Sequence, residues 1–227
     1  MDPIRIFIGY DPSESIAYHV LSHSLLRLTT GPLSITPLSL RSVEGFFQRP
    51  RDPRQSTDFA FTRFLVPYLC NYQGWALFMD CDMLARADVR SLWALRDDSK
   101  ALQVVKHDYT PRTETKFLGN VQTQYPRKNW SSVMLLNNAR CATLRPEFVQ
   151  AASGLELHRF KWTTDELVGD LPLEWNHLVG EYAENPAAKL VHFTLGGPYF
   201  EDYRGCEYTE EWFAEFARLR QGLQEDG

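Results

Sequence analysis

The sequence predicts an α/β fold in which a mostly parallel central sheet is flanked by helices. Three observations predict it. The chain opens strand–helix–strand, the unit that builds parallel sheets. Two short runs, Trp75 to Met79 and Ala101 to Val105, are apolar almost throughout, as strands covered on both faces must be. And 227 residues, 44% hydrophobic and 23% charged, with no internal repeat, low-complexity tract or linker, suit one domain over residues 1–227.

The elements follow in order. Ile4 to Ile8 is the first strand, closed by the turn signal Gly9-Tyr10-Asp11-Pro12. Ser13 is placed to cap a helix from about Glu14 to Leu28, whose apolar face is Ile16, Val20, Leu21, Leu25 and Leu28. Gly31-Pro32 stops it, and Leu33 to Leu40 reads as a second strand that Pro37 assigns to an edge. A loop with Arg49, Arg51 and Arg54 follows. A helix from Ser56 to about Asn71 is expected next, kinked at Pro67 and carrying Arg63. After the Trp75 strand, Asp88 caps a short turn to Trp93. Residues 106–129 form a long polar loop of the kind usually tied to function. Ser132 to Leu136 is a strand, Pro146 to Ala152 a helix, and Thr163 to Leu167 a short helix with acids in its first turn. Leu190 to Phe193 is the last strand. Residues 209–223 form an amphipathic helix expected to pack on the body through Trp212, Phe213, Phe216, Leu219 and Leu223.

A net charge of −5 argues against a general nucleic-acid binder. The four cysteines are widely spaced, which fits neither a zinc site nor a disulfide framework and suits a reducing compartment. No apolar run approaches a membrane span. A cytoplasmic location is expected, with room for peripheral contact at the inner face of a membrane.

Asp80 and Asp82 emerge from the apolar Trp75 strand one residue apart. Buried carboxylates need compensation. A divalent cation provides it, and hard oxygen ligands suit Mg²⁺ or Mn²⁺, which commonly hold phosphates too. A helix cap and a solvated turn are the plainer alternative.

Six segments, in order, resemble the GT-A-fold glycosyltransferases, a Rossmann-like nucleotide-diphospho-sugar transferase fold, and most of all family 8, the group of glycogenin and bacterial lipopolysaccharide glycosyltransferases. They are Tyr10-Asp11; Phe61-Thr-Arg63-Phe-Leu-Val-Pro67; Phe78-Met-Asp80-Cys-Asp82; Trp130-Ser-Ser-Val-Met-Leu-Leu-Asn137; Thr164-Asp165-Glu166; and His192-Phe-Thr-Leu-Gly196. The resemblance implies a nucleotide-diphosphate sugar donor, UDP-linked, and transfer with retention to a glycan or lipid-linked glycan. It implies Asp80, Asp82 and His192 as ligands to Mn²⁺ (or Mg²⁺), Tyr10 and Asp11 on the base or ribose, Arg63 on the donor, and Asp165 and Glu166 at the reacting sugar. The family's lysine after the late histidine is missing from Gly196-Gly-Pro-Tyr-Phe200, and Lys106, Arg112, Lys116, Arg127, Lys128 or Arg204 are candidates to replace it. Trp130 and Glu166 stand where the family usually carries asparagine and glutamine. Two readings remain beside the transferase: a haloacid-dehalogenase-like phosphotransferase, which shares an Asp-x-Asp after an apolar strand, and a non-catalytic nucleotide- or glycan-binding module.

Overall fold

The computed structural model describes residues 2–51, 55, 57–108 and 126–221. Arg54, Ser56, Arg112, Lys116 and Leu223 lie outside the described residues. The chain opens with β1 (Ile4–Tyr10), α1 (Ser15–Leu28) and β2 (Leu33–Ser39), followed by α2 (Leu40–Val43), α3 (Val66–Leu69) and β3 (Trp75–Met79). Next come β4 (Met83–Ala85), α4 (Arg90–Trp93), β5 (Leu102–Val104) and β6 (Val133–Asn137). Helices α5 (Pro146–Ala151) and α6 (Gly154–His158) precede β7 (Val168–Asp170), β8 (His177–Leu178), β9 (Leu190–His192) and α7 (Thr209–Gln221).

Among the described residues these strands form two sheets. The larger has the order β2-β1-β3-β6-β5-β7, and the smaller β4-β9-β8. β1 pairs in parallel with β2 and β3, and β5 with β7, while β6 runs against both its neighbours. The fold is thus α/β with a mostly parallel central sheet. Ile6, Ile8, Leu77, Phe78, Met79, Leu102, Val104 and Val133 to Leu135 are fully buried, which explains runs without polar alternation. β2 takes the edge, where Pro37 costs no ladder bond on the open side. A Cβ on Gly9 would meet the Phe59 ring at 2.3 Å, so the end of β1 needs glycine for close approach.

Four expectations need correction. Ser13 does not cap the first helix. Asp11 caps a 3₁₀ turn over Pro12–Glu14, its Oδ1 accepting from the Ser13 amide (2.9 Å) and hydroxyl (2.6 Å), and α1 starts only at Ser15. The long helix from Ser56 to Asn71 is instead turns, a 3₁₀ segment over Thr62–Leu65 and the four residues of α3. Phe59 to Pro67 are all buried, and a segment covered on every side has no solvated face to favour a regular surface helix. Thr163 to Leu167 holds only a 3₁₀ turn, Asp165–Leu167. In α7, Phe213 points outward at 38% exposure. The inner face is Trp212, Glu215, Phe216 and Leu219, as a 3.6-residue period requires.

Glu215 is tolerated there because α1 supplies its partners. Its carboxylate accepts from Arg27 Nε (3.0 Å) and Nη2 (2.7 Å), meets His23 Nδ1 at 2.6 Å, and accepts from Arg218 (3.1 Å). Burial raises its pKa, but these cations outweigh burial and hold it below the ordinary carboxylate value.

Candidate metal centre at the join of two sheets

The segment Asp80-Cys81-Asp82 links β3, in the large sheet, to β4, in the small one. Each aspartate extends a ladder by one bond. The Asp80 amide donates to the Ser132 carbonyl at 2.9 Å, continuing β3 against β6. The Asp82 carbonyl accepts from the Phe193 amide at 2.9 Å, continuing β4 against β9. Because Met83 faces His192 in that second pairing, Asp82 and His192 are brought side by side from 110 residues apart in the chain, with Nε2 of His192 3.3 Å from Oδ1 of Asp82. One ligand atom from each of Asp80, Asp82 and His192 lies within 4.8 Å of the others.

Buried groups support this cluster. Arg63, 5% exposed, reaches Asp80 Oδ1 at 2.8 Å, donates to the Ser131 carbonyl at 2.9 Å, and lies over the rings of Phe59 and Phe78. Ser131 in turn shares a 2.7 Å hydrogen bond with His158 Nδ1. Burial first, then the nearby Arg63 and Arg49, pushes the His158 pKa down to about 3, so it is a neutral core histidine. His107, just beyond β5, is likewise pushed to about 3 by burial and by His192 and His177 nearby.

The surroundings are acidic. Burial, followed by the fields of Glu14, Asp82, Asp80 and Asp11, drives the Cys81 thiol well above its ordinary pKa. Burial, then Glu14 and Asp82, does the same to the Tyr199 phenol, which donates to Glu14 at 2.6 Å. Two carboxylates with an imidazole form a mixed oxygen/nitrogen donor set that fits a divalent cation.

The other sequence-predicted residues are placed differently. Tyr10 is half-buried and meets Tyr18 edge-on at 5.5 Å. Asp11 has both oxygens in backbone-shaping bonds, Oδ1 to Ser13 and Oδ2 to the Asp58 amide at 2.9 Å. Lys106 pairs with Asp170 at 3.1 Å, and Arg127 with Asp165 at 2.7 Å. Asp165 and Glu166 are exposed on their 3₁₀ turn and lie outside the three-residue cluster. The Asp165 carboxyl is held below its ordinary pKa by its hydrogen bond to Arg127.

Sequence reasoning passed over Asn176, which is fully buried with its Oδ1 3.0 Å from His192 Nδ1. The available signal was a polar Asn-His pair between Trp175 and the apolar Leu178-Val179.

No family model matches the chain. Protein CDI of Arabidopsis thaliana is 46% identical over 222 residues, covering 94% of this chain and 86% of that protein. The chain belongs to the Protein CDI family. Among solved structures, this CDI-family chain superposes on the bifunctional glycosyltransferase WbbM (TM-score 0.65, 95% of this chain) and on the glycosyltransferase GlyE of Streptococcus pneumoniae (0.64, 99%), each 13% identical. It spans 50% of the length of WbbM and 64% of GlyE. It also superposes on the galactosyltransferase LgtC, solved with donor and acceptor sugar analogues (TM-score 0.61, 13% identity, 95% of this chain and 96% of LgtC). At such identity the likeness establishes the fold, that of GT-A glycosyltransferases. No helix among the described residues is long and apolar enough to cross a membrane.

Proposed function

We propose that this CDI-family protein is a metal-dependent glycosyltransferase of the family 8 type. It would move a hexosyl group from a UDP-sugar to a hydroxyl of a glycan or lipid-linked glycan, with retention at the anomeric carbon. The observation that carries this reading is the convergence of Asp80, Asp82 and His192 at the carboxyl end of β3 in a GT-A-like sheet, where open α/β sheets bind their ligands. The same edge presents Tyr10 and Asp11 after β1 and Lys106 after β5.

In the reaction, the bond from the anomeric carbon to the diphosphate oxygen breaks, a bond to the acceptor oxygen forms, and the acceptor hydroxyl loses its proton. Asp80, Asp82 and His192 would hold Mn²⁺, whose charge neutralises the departing diphosphate. Arg63 fixes the Asp80 carboxylate and leaves the Asp80–Asp82–Arg63 group with a net charge of −1 (two carboxylates, one guanidinium). Tyr10 offers a ring beside the base, with Asp11 shaping the turn that carries it. Lys106 and Arg127 are candidates for the missing lysine. Their present partners are largely exposed, with 75% and 66% of the Asp170 and Asp165 side chains open to solvent. An exposed pair of the Lys106–Asp170 kind is worth about 0–1 kcal/mol, so an incoming phosphate can take Lys106 at small cost, whereas Arg127 is mostly buried and also donates to the Arg159 carbonyl at 2.8 Å. Freeing Arg127 would also release Asp165, leaving it and Glu166 to bind sugar hydroxyls or stabilise positive charge at the anomeric carbon. A cytosol-facing enzyme that meets lipid-linked acceptors at a membrane surface is the setting this reading implies.

The test is ligand-linked stability. UDP with Mn²⁺ should raise the melting temperature, Asp80→Asn/Asp82→Asn should abolish the rise, and the wild type should hydrolyse or transfer sugar from a UDP-sugar. A double variant that keeps both properties would refute the metal assignment. Binding without turnover on any donor would leave a binding module.

A further inference from the structure

We infer that Asn176 is a positioning residue that holds a proton on His192 Nδ1 and so turns Nε2 of the ring toward Asp82. The backbone carbonyl of Asn129, which can only accept, anchors the network. Asn129 has φ of 61°, a left-handed conformation that asparagine tolerates. Its carbonyl collects the Ser132 hydroxyl at 2.6 Å and Asn176 Nδ2 at 3.2 Å. A carbonyl oxygen only accepts, so the amide group facing it must be the NH₂ of Asn176. The second NH₂ proton goes to Ser132 Oγ at 2.8 Å, whose own proton is already given to Asn129. Flipping the amide would set two acceptors against each other at the Asn129 carbonyl.

With the amide fixed, its Oδ1 faces His192 Nδ1 at 3.0 Å. Oδ1 accepts, so Nδ1 carries the hydrogen. Nε2 is the other ring nitrogen, turned to Asp82 and 3.3 Å from its Oδ1. A ring protonated on Nε2 alone would set the Nδ1 lone pair against Asn176 Oδ1, two acceptors facing each other. Three of the participants are buried, Asn176 at 0% exposure and Ser132 and His192 at 2%, while Asn129 is half-buried. Asn129 also donates from Nδ2 to Thr194 Oγ1 at 3.2 Å, which ties the start of the relay to the strand end that carries His192. Histidines that ligate metals are commonly oriented this way through the other ring nitrogen, and loss of the orienting group typically costs about 10–100-fold in metal affinity.

The consequence for metal binding rests on the proposed function, but the tautomer does not, and the experiment separates them. The full-length protein, stripped of metal with chelator and labelled with ¹⁵N-histidine, is examined by long-range ¹H–¹⁵N correlation at about pH 8.5, two units above the ordinary imidazole value. His192 is assigned by the signal lost in His192→Gln. We expect a protonated-type Nδ1 in the wild type. In Asn176→Leu we expect averaging toward the Nε2–H form, together with a fall of about 10–100-fold in Mn²⁺ affinity read by electron paramagnetic resonance of the free ion. A pyridine-type Nδ1 in the wild type overturns the inference, with the His192→Gln protein used for the assignment checked as folded by circular dichroism. So does an Asn176→Leu protein that is folded by circular dichroism and keeps the Nδ1–H tautomer. A wild type that shows the expected tautomer but takes up no Mn²⁺ refutes the proposed function and leaves the positioning role standing.

Discussion

Replacing Arg63 by methionine removes the guanidinium while keeping a stem of similar length. The side chain is 6% exposed and its partner Asp80 14%, so the pair is buried on one side and slightly open on the other. Breaking a buried pair by deleting one member costs roughly 3–5 kcal/mol, and the opening at Asp80 favours the low end, about 3 kcal/mol. The lost bond to the Ser131 carbonyl adds about 1 kcal/mol. A total near 4 kcal/mol, at about 2–4 °C per kcal/mol for a chain of this size, lowers the melting temperature by about 8–16 °C. The assay is differential scanning fluorimetry with and without Mn²⁺. Without the guanidinium, the cluster has one more unit of negative charge to neutralise, so Mn²⁺ should raise the melting temperature of the variant by more than that of wild type. A variant that melts within about 2 °C of wild type, or a Mn²⁺ shift equal in both proteins, would show that Arg63 does not carry the charge of Asp80.

Two further outcomes follow from other buried groups. Glu215→Ala should lose about 2 kcal/mol in urea unfolding, below the full cost of a buried pair because Arg27 and Arg218 can rehydrate; Glu215→Gln should recover part of it through shape, and equal losses in both would mean that charge is irrelevant there. Acidification should destabilise the protein in two stages. His107 and His158 titrate near 3 when folded and near the ordinary 6.5 when unfolded, so the unfolded chain takes up protons first and stability falls as pH drops from 6.5 toward 3. Glu215, lowered in the fold, contributes stability above its ordinary 4.5 that is lost as pH falls through its depressed value. His158→Phe should flatten the urea midpoint between pH 6.5 and 4, and an unchanged slope would remove His158 from this account.

The inner strands of the large sheet were legible because they are buried on both faces and their composition says so: β3 runs Trp75–Met79 as read from the sequence, and β5 lies within Ala101 to Val105. β7, three residues with an exposed Asp170, was not read. Of the second sheet only β9 was legible, inside the apolar run Leu190 to Phe193. β4 has three residues and β8 two, too few for any period to show, and they pair only because tertiary contacts bring them together. The stretch from Phe59 to Pro67 misled for the opposite reason, since its residues are buried on all sides and the helical pattern of its apolar positions carries no directional information. Asp80, Asp82 and His192 could be named from their chemistry and the resemblance. Asn176 could not, because its role depends on a carbonyl 47 residues away and nothing in its own neighbourhood announces that partner. Asp11, named from the resemblance as a base or ribose contact, also has a structural part that the sequence did not announce: both its carboxylate oxygens accept hydrogen bonds in the turn it builds.

The three residues Asp80 to Asp82 have no ladder of their own to define their spacing. Asp80 is registered by Ser132 and the large sheet, Asp82 and His192 by the small one. The distance across the cluster therefore measures how the two sheets are seated on each other, as the gap of a caliper measures the position of its jaws. Packing changes far from any carboxylate, such as at Leu84, Val191 or Trp212 in the core under the small sheet, should then register as altered cation affinity before they register as unfolding.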